Sequence, residues 1–251
     1  MTHRPRRFPQ LKGYLGIAVS VLCFLLALRP VHAERRLVTA EEMNGTQLYR
    51  AIQGRAFKIE KRIRPEYLIQ GDSPVEYSSG VLYKNGYIIT TYDAIKYYAD
   101  ISIYGSDLKS YKSRVVVFDK SRNIAILKIA SGGPKFKTPL AIAKQSYHGE
   151  VVYSLGGLNG IHSAFFKAIL GGKVSGKALY HEEGIGVSIR TYMMTNLQTT
   201  DGGSGTPVFN TRGQLLGLVD LNSLPEKSLT GVFTFVLPVD DEIRSLMNAI
   251  R

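Results

Sequence analysis

The chain has 251 residues, a formal net charge of +12, 44% hydrophobic residues and a single cysteine. That length suits one domain with a well-buried core, and the cysteine count excludes a fold framed by disulfides. The excess of Lys and Arg is compatible with solubility or with anionic lipid, lipopolysaccharide or cell-wall polymer as a partner.

The N-terminus reads as a leader. Arg4, Arg6, Arg7 and Lys12 form a basic region, Gly13 to Leu28 is nearly unbroken apolar sequence, and Val31-His32-Ala33 offers a small residue for cleavage. The apolar run is shorter than the ~20 residues a spanning helix needs. Cleavage after Ala33 is expected, with residues 1–33 as signal peptide and 34–251 as the mature chain. An uncleaved anchor through residues 13–28 is the alternative. Leu22 before Cys23 is too large for a lipoprotein processing site. Export to a bacterial periplasm or beyond follows, and it argues against a nucleic-acid partner. Losing Arg4, Arg6, Arg7, Lys12 and Arg29 brings the net charge from +12 to near +7.

Thr39-Ala40-Glu41-Glu42 has capping-box spacing and predicts the start of a short helix. Asn44-Gly45 interrupts it, and Leu48 to Ile52 is a second amphipathic stretch. From Phe57-Lys58-Ile59 the pattern becomes strand, turn, strand. Gly80 to Tyr83, Lys84-Asn85-Gly86 and Tyr87 to Thr90 form a hairpin around an Asn-Gly turn. Ile101 to Tyr104, Ser113 to Phe118 and Ile124 to Ile129 complete a first half. Ser131-Gly132-Gly133-Pro134 reads as a linker. The second half runs through Val151 to Leu155, a glycine-rich loop from Gly156 to Gly160, Gly171 to Gly176, Thr191 to Met194, Thr206 to Phe209, Leu215 to Val219 and Gly231 to Leu237. Asp240 caps a terminal helix, Asp241 to Ile250, with Ile243, Leu246, Met247 and Ile250 at helical spacing. Short strands with frequent turns and helix only at the ends predict an all-β fold: two packed antiparallel barrels, about 46–130 and 138–251.

The chemistry concentrates in Gly202-Gly203-Ser204-Gly205-Thr206-Pro207. A serine between glycines on a tight turn is how a nucleophile is presented beside an oxyanion hole of backbone N–H groups, here Gly202, Gly203 and Ser204. His148, His162 and His181 are the mature histidines, and each reads first as a loop or turn residue. Their spacing carries no metal signature, and the glycine pairs lack the Lys-Ser/Thr of a phosphate loop. No cofactor is expected.

Several segments in order resemble the trypsin-like fold, specifically the HtrA/DegP-like branch of serine proteases. Ser79-Gly80-Val81 with Asn85-Gly86-Tyr87-Ile88-Ile89-Thr90 is similar to that family's Gly-Ser-Gly-Phe … Gly-Tyr-Ile-Leu-Thr hairpin. Asn123-Ile124-Ala125-Ile126-Leu127-Lys128 is similar to its Asp-Ile-Ala-Leu-Leu-Lys strand, Lys173-Val174-Ser175-Gly176 to its Ile-Val-Ser motif, and Phe235-Val236-Leu237-Pro238-Val239 to its Phe-Ala-Ile-Pro-Val ending. The likeness covers roughly 46–251 and implies no PDZ domain after it.

The resemblance also implies where a triad should stand. Thr90-Thr91-Tyr92-Asp93-Ala94 occupies the family's Thr-Asn-Asn-His-Val, so Asp93 replaces the histidine. Asn123 replaces the aspartate, and Ser204 keeps the nucleophile position. A carboxylate, with an ordinary pKa of about 4, is too weak a base to deprotonate a serine efficiently. Loss of the histidine alone costs on the order of 10⁶ in turnover. Oxyanion hole and binding leave roughly 10³–10⁴ over water. The expectation is an exported, inactive protease homologue that binds a peptide or protein in its cleft. Alternatives are an active endopeptidase using another base, such as His162, and a basic adaptor for anionic envelope surfaces.

Overall fold

A computed structural model describes residues 41–250, apart from 85, 136–137, 159–160, 182–184 and 222–232, and apart from the side chains at 158, 161–162, 176–181 and 185–189. The leader, Thr39-Ala40 and the side chains of His162 and His181 lie outside the described residues.

Helix α1 (Gly45–Ile52) begins later than the 39–42 spacing predicts. Residues 41–44 are not helical. Asn44 is the N-cap instead, its side chain accepting the Gln47 N–H at 3.0 Å while Gln47 Oε1 accepts the Asn44 N–H at 2.9 Å. This reciprocal box satisfies two otherwise orphaned donors, so Asn44-Gly45 opens a helix rather than interrupting one. Leu48 and Ile52, four apart, bury its apolar face.

Six antiparallel strands then close a barrel in the order β1 (Ala56–Ile63), β2 (Val75–Lys84), β3 (Tyr87–Thr90), β6 (Ile124–Ile129), β5 (Ser110–Asp119) and β4 (Tyr98–Tyr104). The β2–β3 hairpin pairs Val81 with Ile89 and Leu82 with Ile88. A second closed barrel runs β10 (Pro207–Asn210), β11 (Leu215–Val219), β12 (Thr234–Pro238), β9 (Ile185–Thr195), β8 (Ile161–His181) and β7 (Val151–Leu158). The chain ends in α2 (Asp241–Ala249), whose N-cap Asp240 accepts the Ile243 N–H at 2.8 Å. The expected all-β, two-barrel architecture is therefore the observed one.

Two expected loops are strand. Gly156 and Gly157 belong to β7, and the His181 backbone pairs with Ile185 at the end of β8. At Gly156 the reason is close approach: a Cβ there would lie 2.6 Å from Thr206 Oγ1 and 3.0 Å from Ser79 Oγ. Glycine here lets strands pack that any side chain would separate.

Phe57, Ile59, Leu82, Ile88 and Ile103 fill the first barrel, and Val152, Leu170, Met193, Val208 and Val236 the second. A third cluster takes residues from both barrels and both helices, including Leu48, Ile126, Phe209, Phe235, Ile243 and Met247. Polar contacts tie the same parts. Arg55, 8% exposed, donates to Thr138 O at 2.9 Å and Leu82 O at 3.4 Å, and burial lowers its pKa. Tyr83 OH donates to Met247 O at 3.1 Å, and Lys84 Nζ to Ile250 O at 2.8 Å, pinning α2 to the first barrel. Among the described residues no helix is long and apolar enough to cross a membrane.

Candidate functional site

Ser204 stands in the connection between β9 and β10, on a turn folded by its own backbone. The Gly203 N–H donates to Thr200 O at 2.9 Å and the Thr206 N–H to Gly203 O at 3.1 Å. The Gly205 N–H reaches Val219 O and the Val219 N–H reaches Thr206 O, both at 2.8 Å, which locks the turn onto β11. Gly202 and Gly205 have φ of 83° and 79°, a region that favours glycine. Gly205 is doubly constrained, since a Cβ would lie 2.1 Å from Ser79 O and 2.3 Å from Thr90 Oγ1.

The first barrel therefore presses directly on this turn. Ser79 on β2 donates its N–H to Ser204 O at 2.8 Å and accepts Thr90 Oγ1 on its own carbonyl at 2.6 Å. Its hydroxyl accepts the Gly157 N–H at 2.8 Å. Ser204 is 7% exposed, and its hydroxyl has no hydrogen-bond partner among the described residues. The N–H groups of Gly202 and Ser204 likewise have none there, whereas that of Gly203 is consumed inside the turn. Behind the turn, Gln198, Thr199, Thr206, Val219, Ser154 and Gly156 line a cavity of about 10 Å³, room for one water rather than a side chain.

Asp93 lies in the turn that follows β3. Its Oδ1 is 2.9 Å from Lys96 Nζ, and no hydrogen bond joins it to Ser204. Burial works against the Lys96 charge, but the Asp93 carboxylate outweighs it and holds the Lys96 pKa above the ordinary lysine value. Lys96 thus keeps its proton and cannot serve as a base.

Asn123 comes next to this turn because β3 pairs with β6, and it opens β6 from a left-handed conformation, φ 53°. Asparagine is among the few non-glycine residues that adopt it readily. Asn123 is 1% exposed. Its Oδ1 accepts the Asp93 backbone N–H at 2.9 Å, its backbone carbonyl accepts the Tyr92 N–H at 3.1 Å, and its Nδ2 donates to Asp220 Oδ2 at 2.8 Å. Asp220, also 1% exposed, accepts from Tyr192 OH at 3.3 Å and faces Arg190 Nη1 at 3.8 Å. Arg190 in turn donates to Ser121 O and Lys120 O, both at 2.8 Å, clasping the turn that leads to Asn123.

The structure thus brings Asp93 and Asn123 together and joins Ser204 to their barrel through Ser79. Sequence reasoning missed Asp220, Arg190, Tyr192 and Lys96. The available signal was an acid directly after the apolar run Leu215 to Val219, where a charge needs a partner. His148 is exposed on the turn before β7. Among the described residues no three His, Cys, Asp or Glu side chains gather as metal ligands.

Residues 78–218 match the trypsin-like peptidase domain. That range contains Asp93, Asn123 and Ser204, and Asp220 lies just beyond it. The chain is 26% identical over 161 residues to Protease Do-like 1, chloroplastic, of Arabidopsis thaliana, a match covering 62% of this chain and 35% of that protein. It is 27% identical over 174 residues to Serine protease Do-like HtrA of Lactococcus lactis, covering 66% of this chain and 42% of that one. The match therefore spans less than half the length of these curated relatives. Among solved structures, the active form of the Rv3671c protease from M. tuberculosis superposes with a TM-score of 0.68 at 20% identity, covering 81% of this chain and 83% of that chain. The HtrA-type protease AlgW with tripeptide gives 0.65 at 16% identity, covering 83% and 64%.

Proposed function

The chain belongs to the trypsin-like peptidase domain family, and from that premise we propose that it is an exported member that has kept the fold and the nucleophile turn but not hydrolysis. It acts as a peptide- or protein-binding domain of the cell envelope. One observation carries this reading: among the described residues no side chain hydrogen-bonds the Ser204 hydroxyl to take its proton. Asp93 stands where the family has histidine and spends its carboxylate on Lys96. Lys96 is held protonated by the same pair. Asn123 cannot neutralise an imidazolium, and its amide is already committed to the Asp93 N–H and to Asp220.

What remains is useful for binding. The Gly202 and Ser204 N–H groups flank a serine and are available to a carbonyl oxygen, the ground-state form of an oxyanion hole. A peptide carbonyl docked there gains hydrogen bonds without being attacked. The basic leader region and the apolar run behind it support export.

The test is labelling with a fluorophosphonate probe, read by mass spectrometry on the peptide containing Ser204. The expected result is no adduct above a Ser204→Ala control and no cleavage of casein. Stoichiometric labelling within minutes would overturn the inactive reading.

A further inference from the structure

Asn123 is an amide whose polarity is fixed from both sides. The Asp93 backbone N–H can only donate, and the Asp220 carboxylate can only accept. With contacts of 2.9 Å and 2.8 Å, Oδ1 must face residue 93 and Nδ2 must face Asp220. Asp220 is itself held in place, 1% exposed, by Tyr192 OH and the Arg190 guanidinium. The site therefore does contain a buried carboxylate, displaced by one hydrogen bond from position 123.

We propose that Asp220 is the positioning residue that sets the state of this site: it supplies the negative charge in place of residue 123, aims the Asn123 carbonyl at position 93, and bars an aspartate from position 123. The proposal rests on reading Ser204 as an intact but unassisted nucleophile.

Two consequences follow from elementary electrostatics. Carboxyl groups within hydrogen-bond reach of each other cannot both ionise, so an acid at 123 would share a proton with Asp220 rather than carry a full charge. An amide oxygen with a spare lone pair, by contrast, is a competent neutral partner for an imidazole N–H, as in Cys-His-Asn sites. The order in which hydrolysis can be rebuilt is thereby inverted. A histidine at 93 is compatible with the site as it stands. The aspartate that completes an ordinary triad is not, until Asp220 is neutralised. The swapped pair keeps the same hydrogen bond with its direction reversed, an amide at 220 donating to a carboxylate at 123.

The experiment measures kcat and KM for p-nitrophenyl acetate with the full chain and with D93H, D93H/N123D and D93H/N123D/D220N. D93H is expected to exceed the unaltered protein. Adding N123D should then change kcat by less than about tenfold, although the triad carboxylate is worth on the order of 10⁴ elsewhere. Adding D220N should raise kcat by a further hundredfold or more with KM changed little. A hundredfold gain from N123D with Asp220 intact overturns the proposal, and so does a triple variant no faster than the double one. If every D93H variant is silent, the reading of Ser204 fails and Asp220 is judged separately, from urea unfolding of N123D, D220N and N123D/D220N. Recovery of at least half the summed loss in the double variant sustains the proposal; strict additivity overturns it.

Discussion

Gly205 shows how little freedom the nucleophile turn has. Its φ of 79° is combined with backbone and hydroxyl oxygens 2.1 and 2.3 Å from where a Cβ would sit. Gly205→Ala is expected to cost about 3 kcal/mol or more, from left-handed strain plus displacement of Ser79 and Thr90. Gly172→Ala is the matched control, having ordinary φ and nothing within 4 Å, and should stay within about 0.5 kcal/mol of the unaltered protein. Urea midpoints decide both. At this scale the sequence was readable where chemistry is local: Ser204 between glycines is visible as a presented nucleophile. Asp220 was not, because its role exists only through Asn123, 97 positions away.

Elements are joined by polar groups whose ionisation can be followed. Tyr83 on β2 holds the C-terminal helix through Met247 O, and burial, with Tyr87 second, pushes its hydroxyl from 10.0 up to about 12. A folded pKa above the unfolded one means that this contribution is complete below pH 10 and is lost as pH rises through about 12. Tyr83→Phe should therefore cost about 1 kcal/mol at neutral pH, and the difference from the unaltered protein should shrink above pH 10. Asp119 gives the acid counterpart. Burial alone would raise its pKa, but hydrogen bonds from Ser121 and Arg122 outweigh it and hold the carboxyl below 3.8. Its contribution is present above that value and fades as pH falls through the lower folded one. Asp119→Asn should flatten the acid limb of the stability curve, measured by urea unfolding between pH 2.5 and 5. Strand positions were largely legible here, as at Ile124 to Ile129, which matches β6 from end to end. The start of α1 was not, since Thr39 with Glu42 and Asn44 with Gln47 offer the same capping-box spacing, and the sequence does not show which pair closes; in the fold Asn44 and Gln47 do. Gly156-Gly157 read as a loop because a sequence cannot show that Thr206 and Ser79 crowd that point.

At the largest scale the described residues form two barrels that share a core. The cluster containing Leu48, Ile126, Phe209 and Met247 draws on every part of the described fold, so neither barrel can expose its side of it cheaply. Unfolding should be a single transition, with far-ultraviolet and tyrosine near-ultraviolet circular dichroism giving the same midpoint, and residues 41–133 expressed alone should show no cooperative transition. Two successive melts would contradict this. The two-barrel plan was legible from strand spacing and the central linker, but the shared cluster was not, because its members are scattered from residue 48 to residue 247. Ser79 gives that union a further meaning. Its amide proton is held by Ser204 O while its hydroxyl is held by Gly157, so one residue spans the line along which the barrels meet. That proton can be traded for deuterium only when the line opens, which makes it a clock for the parting of the two halves. A peptide lying across the cleft would slow the clock without a single bond being cut.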